Sequence, residues 1–281
     1  MKRILTAILL ILVVVALIFF GQPWMVTLAA CLIAEIAAYE YLSLANSGGA
    51  RIPAWWMAAA TALLFYVTYY RPIEAQLPTL SVLALALLAW TGFRGTLDRV
   101  LPDAALGLFG LMYVAYPMSL MPMIWNREQG DGKPLLLFLL VCVWAGDTAA
   151  LYVGRRFGRH KLTELSPNKT WEGSLASVAG SVLAGLAVVY AGVLLSDRGN
   201  TVLHILEPVW QCVVLAILIN VAAQLGDLLE SAIKRGAGAK DSGTILPGHG
   251  GVLDRIDALL IAAPVLWCVL LLKDAFSLGR F

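Results

Sequence analysis

Residues 231–257 read SAIKRGAGAKDSGTILPGHGGVLDRID. Seven charged side chains, one histidine and six glycines fall in this stretch, and the sequence on either side is apolar over helix length. Ionisable groups are costly at a membrane boundary, so a dense cluster of them between two apolar runs marks a functional site. The rest of the chain supplies the contrast. Of 281 residues, 60% are hydrophobic and 14% charged, with a mean hydropathy of +0.81. A soluble domain carries about 25% charged residues, so most of this surface is solvated by lipid. The net charge of +2 is too small to argue for nucleic acid, and no such partner is expected. Cys31, Cys142, Cys212 and Cys268 each stand alone in an apolar run, with neither metal-ligand nor disulfide spacing, and read as small buried hydrophobes.

A spanning helix needs roughly 20 apolar residues. That length gives about nine segments, at 4–20, 24–44, 54–70, 77–93, 104–124, 134–153, 172–195, 208–230 and 252–272. The expected fold is all-α, a polytopic integral membrane protein. With no repeat, low-complexity segment or long polar linker, 1–281 reads as a single membrane domain. Its N-terminal helices, 1–130, say little beyond hydrophobicity, and its helices and two polar loops within 134–273 hold the chemistry. The first segment follows Lys2 and Arg3 without a clean small-x-small cleavage site, and is expected to be a retained span.

Lysine and arginine set the orientation. With nine spans and a cytoplasmic N-terminus, fourteen basic residues fall inside and six outside. The polar loops, 154–171 and 231–253, then both face the cytoplasm, and the site is expected at the cytoplasmic ends of the C-terminal helices.

Asn220, Gln224, Asp227 and Ser231 recur at steps of four, three and four, one face of a helix. Glu230 and Lys234 adjoin that stripe. Asp254 and Asp257 share a face at the start of the next segment. Between them, Gly236, Gly238, Gly243, Gly248, Gly250 and Gly251 let a ligand approach the backbone, and their amides can form an anion nest. Lys234, Arg235, Lys240 and Arg255 add cationic donors. Carboxylates on two helices can hold a hard divalent cation that also bridges phosphates. A charged turn between membrane helices is ordinarily just solvated, with basic residues snorkelling. That bland account leaves the carboxylates inside the helix edges and the density of glycine unexplained.

Two upstream segments belong with this one. Residues 144–148, WAGDT, put Asp147 deep in an apolar run, where a neutral residue would be cheaper. Residues 165–173, LSPNKTWEG, lead into the seventh segment. Ser166 and Pro167 read there as an N-cap and first helical residue, which accounts for neither Lys169 nor Glu172.

The whole of 231–257, with 144–152 and 166–173 upstream in the same order, resembles the motifs of the CDP-diacylglycerol synthase (phosphatidate cytidylyltransferase) family. Ala258, where serine is expected, is a small departure. The resemblance implies transfer of CMP from CTP to phosphatidic acid, giving CDP-diacylglycerol and pyrophosphate in phospholipid biosynthesis. It implies that Asp227 and Asp254 hold Mg²⁺, with Mn²⁺ able to substitute and a second cation such as K⁺ nearby. Asp147, Asp257 and Glu230 are the further metal candidates. Lys240, Arg255 and His249 join the catalytic set. Lys169, Lys234, Arg235, Ser231, Asp241, Gly250 and Gly251 are expected to touch substrate. An ionised phosphate nucleophile needs no strong base, so His249 reads as a phosphate donor or loop organiser. Membrane lipids are the expected surroundings, a bacterial inner membrane suits the short loops, and enzymes of this kind resemble homodimers.

Two rivals stand beside that reading. A CTP-dependent lipid-alcohol kinase would use similar upstream motifs but transfer the γ-phosphoryl group. An ion-coupled transporter could use Glu35, Glu40 and Asp147, though a midplane site is the usual arrangement there. Glu35 and Glu40 have no assigned role in the first reading.

Overall fold

The computed structural model describes residues 2–70, 75–245 and 250–277. Each of the nine apolar segments is helical: α1 Lys2–Phe20, α2 Pro23–Ser47, α3 Ala54–Tyr70, α4 Gln76–Arg94, then α5 Val100–Gly110, which passes through a π turn at Leu111–Ala115 into α6 Tyr116–Trp125. There follow α7 Gly132–Phe157, α8 Trp171–Ser196, α9 Val209–Gly236 and α10 Leu253–Ser277. Among the described residues there is no strand, and Lys161 and Thr170 form an isolated bridge. Seven described helical stretches are long and apolar enough to cross a membrane, α5 to α6 counting as one. Leu85, Leu183, Leu218 and Leu225 are among the large side chains they leave exposed, which is tolerable where lipid is the solvent. The chain is an integral membrane protein.

The chain divides into two compact units. The first comprises Met1–Met123 and Ala232–Ile256. Its core is built on α2, where Val26, Ala30, Ala34, Ala37, Ala38 and Tyr41 are buried at helical spacing. Met57, Ala60 and Leu64 of α3, Leu87 of α4 and Val114 of the π turn are buried in the same unit. Tyr41 donates to the Leu106 carbonyl at 2.8 Å and packs beside Phe109 and Tyr113.

The second unit comprises Ile124–Ser231 and Asp257–Phe281. Here α7 and α8 lie against one another along small residues. A Cβ at Gly180 would meet Ala145 and Ala149, and one at Gly173 would meet Ala150 and Gly154. Small residues let helix backbones approach closely in lipid, where burial of apolar surface drives little association. Polar side chains add the specificity. Asn220 of α9 donates to Ser177 and Ser181 of α8 at 2.8 and 2.7 Å, and Ser174 bonds Gln224 at 2.5 Å.

Two boundaries differ from the sequence reading. The α9 helix runs on to Gly236, so the polar loop begins at 237 rather than 231. Nothing in 231–236 breaks a helix before Gly236, and Lys234 and Arg235 suit a helix C-terminus. The helix closes at Gly238, with φ of 70°, where Gly238 N–H bonds the Arg235 carbonyl and Ala239 N–H the Lys234 carbonyl. The second correction concerns Ser166, which is not an N-cap. Pro167 and Asn168 form a turn closed by Lys169 N–H on the Ser166 carbonyl at 3.0 Å, and the cap of α8 is Thr170, whose Oγ1 accepts from Gly173 N–H at 3.2 Å.

Candidate active site

In the first unit the polar cluster centres on Asp254, in the first turn of α10. Its Oδ1 accepts from Lys234 Nζ at 2.5 Å, and its Oδ2 from Ser242 N–H at 3.0 Å and Gly251 N–H at 2.7 Å. The carboxylate thus meets one ammonium and two backbone amides beside a helix N-terminus, and each of them donates a hydrogen bond to its oxygens or lies against them. Gly250 turns the chain into the helix with φ of 77°, a conformation few side chains accept. Lys240 and Asp241 are exposed, and so are Arg255 and Arg235, the latter donating to the Ala239 carbonyl at 3.1 Å. His249 lies outside the described residues.

This cluster includes one residue that the sequence left without a role. Glu40 of α2 is 2% exposed. It accepts from Ser242 Oγ at 3.2 Å, Val252 N–H at 3.0 Å and Leu253 N–H at 2.8 Å. A carboxylate inside an apolar helix is a visible signal. Its partners, more than 200 residues away, are not.

In the second unit the cluster centres on Asp227, on the same face of α9 as Asn220 and Gln224. Lys169 Nζ lies 2.5 Å from its Oδ2. The loop that presents Lys169 is tied at several points. Leu162 N–H bonds the Lys169 carbonyl and Trp171 N–H the His160 carbonyl. The Glu172 carboxylate accepts from the amides of Arg159 and His160 and lies 2.7 Å from His160 Nδ1. Lys169 therefore has an ionic partner and Glu172 a scaffolding one. Asp147 is exposed on α7 and close enough to feel the charges of both Asp227 and Lys169. Glu230 is buried one turn beyond Asp227, Ser231 is half-buried, and Asp257 accepts from Ala258 N–H. Gly226 lies where a Cβ would overlap the Asp257 carbonyl, so a larger residue could not let α9 and α10 approach there.

Asp227 and Asp254 each offer hard carboxylate oxygens, and each already has a cationic group against it. Both surroundings therefore accept positive charge, which fits a hard divalent cation. Among the described residues, no three His, Cys, Asp or Glu side chains are grouped as a ready cage.

A polytopic α-helical membrane protein with lysine-paired aspartates on its C-terminal helices is the class these features define. The sequence profile of the Cytidylyltransferase family matches residues 1–273, and the chain belongs to that family. A phosphatidate cytidylyltransferase of Staphylococcus epidermidis is 34% identical over 272 residues, covering 94% of this chain and 96% of the relative. One from Synechocystis is 29% identical over 295 residues, with 95% and 94% covered. One from Brucella suis is 42% identical over 164 residues, 58% of this chain and 55% of that relative, so this match spans about half the relative's length.

Proposed function

We propose that the chain is a phosphatidate cytidylyltransferase: a phosphate oxygen of phosphatidic acid attacks the α-phosphorus of CTP, the bond to the bridging oxygen of the β-phosphate breaks, and pyrophosphate leaves. The observation that carries this reading is the pair of lysine-neutralised aspartates, Asp227 with Lys169 and Asp254 with Lys234. Family membership and the names of the relatives support it.

Asp227 and Asp254 would hold Mg²⁺, with Asp147, Asp257 and Glu230 the further candidates; bound there, the cation would neutralise charge on the triphosphate. Once phosphates arrive, Lys169 and Lys234 have a second anionic partner, and each can bind phosphate while staying close to its aspartate. Arg235, Lys240 and Arg255 supply further positive charge, and Ser231, Asp241, Gly250 and Gly251 complete the proposed substrate contacts. Phosphoryl-group chemistry of this kind depends mainly on positioning and charge, and the anionic nucleophile needs no base. The site would face the cytoplasm of a bacterial inner membrane, with CTP entering from water and phosphatidate from the bilayer. A second cation such as K⁺ and a homodimeric assembly belong to the same proposal.

The test uses purified protein in detergent with phosphatidate, Mg²⁺ and CTP labelled separately at the α- and γ-phosphates. Label from the α position in lipid, with γ label leaving in pyrophosphate, is the expected result. Label from the γ position in lipid would make the protein a kinase. No lipid label from folded protein would reopen the ion-coupled transporter reading.

A further inference from the structure

Glu40 places a carboxylate on the loop that carries Asp254. Val252 and Leu253 stand at the start of α10, where backbone N–H groups have no partner within the helix. Glu40 supplies that partner from α2, with one oxygen on Val252 N–H and the other shared by Leu253 N–H and the Ser242 hydroxyl. An anion in this position is favoured by the helix dipole as well as by the hydrogen bonds. The loop is shaped around it: a Cβ at Gly243 or at Gly251 would overlap the Glu40 carboxylate. Two of the glycines that suggest an open approach for a ligand are thus required by a side chain of the same protein.

The residues that Glu40 holds also hold Asp254. Ser242 gives its hydroxyl to Glu40 and its backbone N–H to Asp254. Gly251, whose N–H bonds Asp254, is followed directly by the two amides that bond Glu40. We infer that Glu40 is a positioning residue: it fixes the backbone at 242 and 251–253 so that Asp254 is oriented for the cation. This rests on the reading of Asp254 as a metal ligand. Partners one step removed from a metal typically change its affinity by about 10–100-fold when altered.

The experiment compares wild type, Glu40→Gln, Ser242→Ala and Asp254→Ala, purified in detergent without substrate. Mn²⁺ affinity is read by electron paramagnetic resonance, and amide exchange over 250–256 by mass spectrometry. Glu40→Gln keeps the shape but turns an amide N–H₂ toward a backbone donor. The expected result is Mn²⁺ affinity about tenfold weaker, faster exchange over 250–256, and a smaller change in the same direction for Ser242→Ala. Should Glu40→Gln fail to fold, Ser242→Ala carries the comparison, because it removes one bond of the three and keeps the charge. Faster exchange with unchanged Mn²⁺ affinity would reduce Glu40 to a structural brace and overturn the inference. Wild-type affinity and exchange in both variants would do the same. If Asp254→Ala itself leaves Mn²⁺ binding intact, the metal reading fails and the positioning role falls with it, whereas loss in Asp254→Ala with no effect at Glu40 removes the positioning role alone.

Discussion

The two lysine–aspartate pairs are built differently. The Lys234 and Asp254 side chains are 12% and 9% exposed, and Asp254 has two backbone amides besides its lysine. The Lys169 and Asp227 side chains are 25% and 42% exposed. One carboxylate is held in a fixed setting by a loop. The other meets a lysine that arrives on a hairpin and is partly open to its surroundings.

That contrast breaks most visibly under substitution. Asp254→Ala should lower turnover about 10³-fold, the upper end for loss of one preorganised electrostatic group. It should also lower the thermal midpoint in detergent, because the carboxylate that takes bonds from Lys234 Nζ and from the Ser242 and Gly251 amides is lost. Asp227→Ala should lower turnover as far but cost less than about 1 kcal/mol of stability, because exposed pairs contribute little. Equal falls in midpoint for the two variants would end the comparison.

Gly250→Ala tests the fixed side alone. A left-handed residue with a side chain costs about 1–2 kcal/mol, and the new Cβ would press on Asp254 Oδ2. Partial loss of turnover with a measurable drop in midpoint is expected; an unchanged midpoint would mean the turn is softer than its geometry implies. The smallest effect concerns salt. In double-mutant cycles on stability, the Lys169–Asp227 coupling should stay below about 1 kcal/mol and fade as ionic strength rises, since exposed charges are screened. The Lys234–Asp254 coupling should be larger and persist.

Apolar length alone located nine helical stretches among the described residues, seven of them long and apolar enough to span, because lipid imposes one strong requirement on any spanning backbone. The stripe Asn220, Gln224, Asp227 was legible too, since helical period fixes a face without reference to a partner. What that face meets was not. Ser174, Ser177 and Ser181 recur at steps of three and four in an otherwise apolar helix, a signal available in hindsight for the seam with α9. Thr170 rather than Ser166 caps α8 because the turn at Pro167 and Asn168 uses up the intervening residues, a competition between two local motifs that composition does not decide. Glu40 marks the limit: a charge in an apolar run announces that it has a partner, but the sequence does not say which.

The 212 residues that separate Glu40 from Val252 also have a meaning in time. At roughly 5–20 residues per second, synthesis leaves the α2 carboxylate for tens of seconds before the amides that receive it exist. Throughout that interval an acidic side chain sits two turns from the end of an inserted helix, with neither Ser242 nor the start of α10 to donate to it. A helix made later thus completes one made much earlier, and a ribosome that stops between the two leaves behind a chain carrying an unsatisfied acid.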